Sequence, residues 1–262
     1  MPTIVALVKN VPDTWSEKTL EEDFTLDRDN VDEVLDEVNE FSVEQALRLR
    51  DENPDKGFKV VALTGGPQPA TESVRRAIAM GADDAVHVLD DRIAGSDVLG
   101  TAWVIASALA QMDDVQMVIA GSSSSDGATG ALPGIIAEYR QHPALTYLNK
   151  VRLEADRIVG TREDARGVWE LSAPLPAVVS ITDKADKPRF PNFKGILAAK
   201  KHEVTTWSLE DIGVDPGQVG MDNAATAVTG ANERAQRAAG ELIRGADAPA
   251  RLAEYLAKEN LL

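Results

Sequence analysis

Cysteine is absent from the 262 residues. That excludes disulfides, thiolate metal sites, iron–sulfur ligation and a cysteine nucleophile, and it fits a reducing compartment. Aromatics are only 5% of the chain, so within an ordinary apolar fraction of 44% a core must rest on Val, Ile, Leu and Ala. Positive charge is scarce: 27 Lys and Arg stand against 43 Asp and Glu, a net charge of −16. Nucleic acid and anionic membranes are therefore poor partners, and a cytoplasmic location is expected. No run reaches the ~18 apolar residues of a spanning helix, so no membrane insertion is expected. The opening MPTIVALVKNVPD lacks the basic region and cleavage site of a secretory signal and reads as a strand. The three histidines, His87, His142 and His202, are scattered, and no GxSxG, HExxH or GxxxxGK[ST] occurs. The expectation is a binding or carrier protein without its own catalytic constellation and without a metal.

What is present is an alternation of short apolar runs with helical patterns. Residues 4–8, 59–63, 85–89 and 115–120 read as buried strands. Residues 38–50, 70–80, 97–111 and 132–139 read as helices, the second closed by Gly81. The strands lack in–out alternation, as parallel strands covered on both faces do. The expected fold class is α/β: a doubly wound, mostly parallel, Rossmann-like sheet of the adenine-nucleotide-binding type. Residues 10–30 form a polar excursion. Short runs at 147–154, 157–161 and 168–172, with a turn at Ala155 and Asp156, predict a small antiparallel insertion at about 145–172. Residues 175–182 then resume a buried strand. This gives a nucleotide-binding domain over 1–182, a loop over 183–201 with exposed Phe190 and Phe193, and a linker with an extended C-terminal arm over 202–262. That arm is rich in Gly, Ala, Asn and Thr and ends in a short helix.

One stretch, GSSSSDGATG at 121–130, has linker composition but follows a strand and precedes a helix. In open α/β sheets ligands bind at the carboxyl ends of strands, where the chain order reverses. The glycines let backbone N–H groups approach a ligand, and the helix start behind them favours an anion. The loop itself has no Lys or Arg, which suits a monophosphate held by neutral donors better than a triphosphate in transfer. Asp126 can bond a ribose hydroxyl or cap the next helix. The TGGP turn at 64–67 is a second candidate edge. Lys9, just past the first strand, can face a ligand or simply be solvated.

Several longer stretches carry a family resemblance: IVALVKNVPD (4–13), LDEVNEFSVEQALRL (35–49), ALTGGPQPATESVRRAIAMGADDAVHV (62–88), VIAGSSSSDGATGALPGIIAEY (118–139), LPAVVSITDKADKPRFPNFKGILAAKK (175–201) and RAAG (237–240). Together they resemble the β subunit of electron transfer flavoprotein, of the bacterial, actinobacterial type. The resemblance implies a heterodimer with an α subunit that holds most of an FAD near the interface, and an AMP buried in β. Electrons would come from acyl-CoA dehydrogenases or similar flavoenzymes of fatty acid oxidation and pass to a membrane quinone oxidoreductase. The implied nucleotide site takes in Leu7 and Lys9, then Asp36, Glu37, Val38 and Asn39, and then Gly65 and Gly66. It is completed by Gly121, Ser122, Ser123, Ser124, Ser125, Asp126, Gly127, Ala128, Thr129, Gly130, Ala131 and Leu132.

The family's partner-recognition loop matches 183–201, with Arg189, Phe190, Phe193 and Ile196 as docking residues. Phe193 stands where some members carry an anchoring leucine. An acidic-glycine pattern of the family is altered at 162–167, and Thr14 stands where some members place an aromatic near the flavin, with Trp15 one position on. Two other readings share these residues. One is an electron-bifurcating member with a second FAD in place of AMP. The other is a stand-alone ATP-binding or ATP-hydrolysing module, since GSSSSDG resembles the loop of ATP pyrophosphatases.

Overall fold

Thr3–Leu7 (β1) is buried at all five positions. Ile4 and Ala6 enter one apolar cluster, Val5 and Leu7 another. A strand with a core on each side is the middle of a covered sheet. That arrangement is borne out in a computed structural model, which describes residues 1–232, 235 and 239–262. Beyond β1, Asn10–Pro12 (β2) and Glu33–Leu35 (β3) pair antiparallel. Glu37–Glu52 (α1) then leads to Lys59–Gly65 (β4), and Thr71–Met80 (α2) to Asp84–Val88 (β5). Val98–Ala110 (α3) leads to Val115–Gly121 (β6), and Leu132–Arg140 (α4) to Ala144–Leu148 (β7). Lys150–Glu154 (β8), Arg157–Asp164 (β9) and Gly167–Pro174 (β10) form a separate antiparallel sheet. Ala177–Ile181 (β11), Phe193–Lys201 (α5) and Thr205–Trp207 (β12) follow.

The main sheet has seven strands in the order β12-β5-β4-β1-β6-β11-β7. Every pairing in it is parallel. The chain is therefore of the expected doubly wound α/β class. One cluster packs α1, α2 and Ala199 of α5 on one face, and the other packs α3 and α4 on the opposite face. Local chemistry sets the helix ends. The Asp97 carboxylate accepts from the N–H groups of Leu99 and Gly100 at the start of α3, both at 3.0 Å. Gly81 ends α2 at φ 126°, a conformation that favours glycine.

Three expectations need correction. The antiparallel insertion begins later than about 145: β7 is a parallel strand of the main sheet, paired with β11. Its exposed positions gave it the half-buried look of an antiparallel strand. The segment 183–201 is not all loop, because Phe193–Lys201 is helical. Asn192 caps it by accepting from Gly195 N–H at 2.8 Å. The linker and arm do not begin at 202. β12 extends the sheet by pairing with β5, and Leu209, Ile212, Val214 and Val219 are buried against the α3 face. Those apolar residues are spaced among glycine and proline, so no period announced them.

Residues 230–262 form a second unit, in which Ala248–Lys258 (α6) leaves Leu252 and Tyr255 exposed. Residues 237 and 238 of the RAAG stretch lie outside the described residues.

Candidate functional site

The chain winds outward from β1 through β4 to β5, then crosses to β6 on the other side of β1. The carboxyl ends of β1 and β6 are thus the switch point, where connections leave to opposite faces and open a crevice. Four segments lie at this end of the sheet: Leu7, which closes β1, and Lys9; Asp36 to Asn39 at the start of α1; Gly65, which closes the neighbouring β4, and Gly66; and Gly121, which closes β6, with the 122–131 loop.

The loop is fastened to α1. Ser125 N–H donates to the Asp36 carboxylate at 2.8 Å, and Lys9 N–H donates to Asn39 Oδ1 at 2.8 Å. A side chain at Gly121 would put its Cβ 2.7 Å from Val38 Cγ1 and 2.8 Å from Asn39 Nδ2, so only glycine lets the loop lie this close. Gly130 is committed twice: its φ is +63°, and a Cβ would meet Tyr147 Oη. Gly127 is free of such contact, the nearest atom being Ser124 Oγ at 3.5 Å.

Asp126 neither caps α4 nor lies free. The N-cap of α4 is Ala131, which makes no side-chain cap bond. Instead the Asp126 carboxylate, only 4% exposed, receives Lys9 Nζ at 2.7 Å and Arg28 Nη2 at 2.7 Å. Burial alone would raise its pKa, but the Lys9 charge and the hydrogen bonds from Lys9 and Arg28 outweigh it and hold the carboxyl well below the usual range. Asp36 behaves in the opposite way: burial pushes it up against the N–H donations of Ser125 and Val38. Arg28 also donates to Glu33 Oε1 at 2.9 Å, tying the polar excursion to the loop. The loop's own lack of cations is thus made good from outside it.

The donor set suits an anion. The N–H groups of Thr129, Gly130 and Ala131 find no acceptor among the described residues, and they stand at the uncapped start of α4. Ser122, Ser123, Ser125 and Thr129 belong to the same loop. Thr64 Oγ1, at the end of β4, is buried without a hydrogen-bond partner. The Gly65–Gly66 turn is braced from behind by His87. Its Nε2–H donates to Gly66 O at 2.9 Å, and its Nδ1 accepts from Thr71 Oγ1 at 3.0 Å. Burial pushes this imidazole down, so it stays neutral. Glu37 and Leu132 are less central: Glu37 is exposed, and Leu132 begins α4. Among the described residues, no group of three or more His, Asp or Glu is placed to hold a metal ion.

A family model described as the electron transfer flavoprotein domain matches residues 23–212. The chain is 50% identical over 246 residues to the electron transfer flavoprotein subunit beta of Mycobacterium tuberculosis, covering 93% of this chain and 92% of that protein. It is 47% identical to the subunit beta of Mycobacterium leprae over the full length of both. A third relative, subunit CarD of the caffeyl-CoA reductase-Etf complex of Acetobacterium woodii, is 30% identical over 92% of each. The chain belongs to the electron transfer flavoprotein beta subunits.

For a member of this family, the segment 183–201 is the second surface of interest. Phe190 and Phe193 are 88% and 77% exposed, and Ile196 and Leu197 are each 41% exposed, an apolar patch at the start of α5. Arg189 does not join that patch. Its guanidinium turns inward to Glu44 and Asp51 of α1. Thr14 and Trp15 lie just past β2, with Trp15 94% exposed. Sequence reasoning missed Arg28, Tyr147 and Glu44. Each acts across a long sequence separation, and none carried a local signal.

Proposed function

We propose that the chain is the β half of an electron transfer flavoprotein heterodimer and binds one AMP in the crevice between β1 and β6. The observation that carries the nucleotide reading is the loop itself: free backbone N–H groups at an uncapped helix start, set at the switch point. Thr129, Gly130 and Ala131 would hold the phosphate. The neutral hydroxyls of 122–125 add donors. Asp36, Asn39 and Gly121 fix the wall that the nucleotide lies against.

On this reading the redox group is held outside this chain. FAD, which the family resemblance puts mainly in the α subunit near the shared interface, would supply the one- and two-electron chemistry when bound. This chain's part is to hold a stable interface and to present the apolar patch of Phe190, Phe193 and Ile196 to acyl-CoA dehydrogenases or similar flavoenzymes. Electrons then leave to a membrane quinone oxidoreductase from a cytoplasmic heterodimer. Among the described residues no helix is long and apolar enough to cross a membrane.

The test is to copurify the heterodimer with its α subunit, denature it and identify the released nucleotides. One FAD and one AMP per heterodimer is the expected result. Two FAD and no AMP would establish the bifurcating arrangement instead. The cation pair on Asp126 gives that second reading some footing, since Lys9 and Arg28 could neutralise a second phosphate if Asp126 released them. ATP turnover by the chain alone would favour the stand-alone module.

A further inference from the structure

The docking segment is expected to be a loop, yet it is bolted to the domain at both ends. Arg189 makes three bonds to one carboxylate: its N–H donates to Glu44 Oε2 at 3.0 Å, its Nε to the same oxygen at 2.8 Å, and its Nη2 to Oε1 at 3.1 Å. Its Nη1 reaches Asp51 Oδ2 at 3.0 Å. Glu44 is 7% exposed at its side chain. Three residues back, Asp186 pairs with Arg48. Positions 44, 48 and 51 lie on one face of α1, so a single helix stripe holds residues 186 to 189. At the other end Gly195 sits directly against the Ala79 carbonyl of α2, where any side chain would collide. Arg75 Nη1 donates to Ala199 O at 2.7 Å and to His202 O at 3.3 Å, closing the last turn of α5.

Between these fastenings the apolar side chains point outward. Arg189 faces in while its neighbour Phe190 is 88% exposed, and residues 193, 196 and 197 share one outer face of α5. A patch already fixed in place loses little conformational freedom on binding, so its affinity depends on what holds it. A nearly buried carboxylate such as Glu44 is acceptable only while its cation is present.

We infer that Glu44 and Arg189 are a positioning pair: Arg189 governs partner docking through Glu44, by seating the 183–192 segment on α1, and does not itself touch the partner. This deepens the docking reading above and rests on it.

The experiment uses the purified heterodimer as the varied acceptor for an acyl-CoA dehydrogenase reduced by its acyl-CoA substrate. Glu44→Gln and Arg189→Ala should each raise KM for the heterodimer about tenfold with kcat unchanged, and the double variant should be no worse than either single one. Arg189→Lys, which keeps the charge and loses the fork, should fall between wild type and Arg189→Ala. Hydrogen exchange at residues 183–192 should quicken in Glu44→Gln while FAD content holds. If Glu44→Gln leaves KM unchanged, or the two effects multiply in the double variant, Arg189 contacts the partner directly and the inference is overturned. Phe193→Ala separates the two levels. An unchanged KM there defeats the docking reading itself, whereas a raised KM beside a silent Glu44→Gln defeats only the positioning pair.

Discussion

Gly121→Ala offers the sharpest examination of how the crevice is built. The added methyl would sit 2.7 Å from Val38 Cγ1 and 2.8 Å from Asn39 Nδ2, closer than real Cβ atoms approach heavy atoms. Asn39 cannot turn aside freely, because its Oδ1 holds Lys9 N–H at 2.8 Å. Overpacking of this kind costs about 1–3 kcal/mol, and an orphaned Lys9 N–H adds about 1–3 kcal/mol. The sum, about 2–6 kcal/mol, stays below the middle of the roughly 5–15 kcal/mol of a typical domain, so the chain should still fold. The loop, exposed at Ser125, Gly127, Ala128 and Thr129, yields more easily than the buried Asn39 and half-buried Val38. Most of the strain then appears as a displaced loop, and AMP affinity should fall about ten- to a hundredfold, each factor of ten being about 1.4 kcal/mol. The comparison is Gly127→Ala, whose Cβ would meet only Ser124 Oγ at 3.5 Å. Nucleotide released from denatured heterodimer, with a melting curve of each variant, is the measurement. Full AMP in Gly121→Ala together with an empty Gly127→Ala would refute the reasoning. It would mean that the ligand lies over Gly127 and that α1 is not its wall.

Asp126→Asn should destabilise the chain at neutral pH by about 1–3 kcal/mol, less than a fully buried pair because Lys9 and Arg28 keep 42% and 30% of their side chains exposed. The folded carboxyl is depressed, so this contribution is complete above about pH 4 and is lost as pH falls through the folded value; melts of the two proteins should converge in acid. The His87 pKa is also lowered, by burial, which holds the imidazole neutral, so stability should decline as pH drops below about 6.5. His87→Gln should flatten that decline, leaving a residue from His142, whose pKa burial and Arg140 also lower. An unchanged slope of melting temperature against pH would show that His87 does not brace the turn.

Much of the fold was open to sequence reading because it is carried by local, repeated signals. Each main-sheet strand from β1 to β6 is a run of apolar residues with a helix pattern behind it, and caps such as Asp97 and Gly81 stand at fixed offsets. The regions misread are those where packing overrides local pattern. β7 looked half-buried because an edge strand has one neighbour. β12 is three residues long and takes its place only by pairing with β5 across more than a hundred residues of chain. The site divides in the same way. The glycine-serine loop could be found from its place after β6. The partners of Asp126 could not, since Lys9 and Arg28 arrive from about a hundred residues upstream. Among the loop glycines, steric demand falls on Gly121 and Gly130 and not on Gly127, a difference that only neighbours in space reveal.

If the proposed AMP is bound, the geometry gives a reason for a carrier subunit to keep a nucleotide that takes no part in redox chemistry. α1 is shared by both surfaces. Its first turn, Asp36 to Asn39, walls the crevice through Ser125 and Lys9. Its later turns hold Asp186 and Arg189 through Arg48, Glu44 and Asp51. On the proposed reading, a ligand that fills the crevice and steadies the start of α1 also steadies the helix that seats the docking patch. The coupling needs no conformational switch, only a rigid helix with a task at each end. It also accounts for the position of the acidic residues on α1: Asp36, Glu44 and Asp51 are each engaged by a donor from a distant segment. On this helix, acidic charge is the means by which two loops are held.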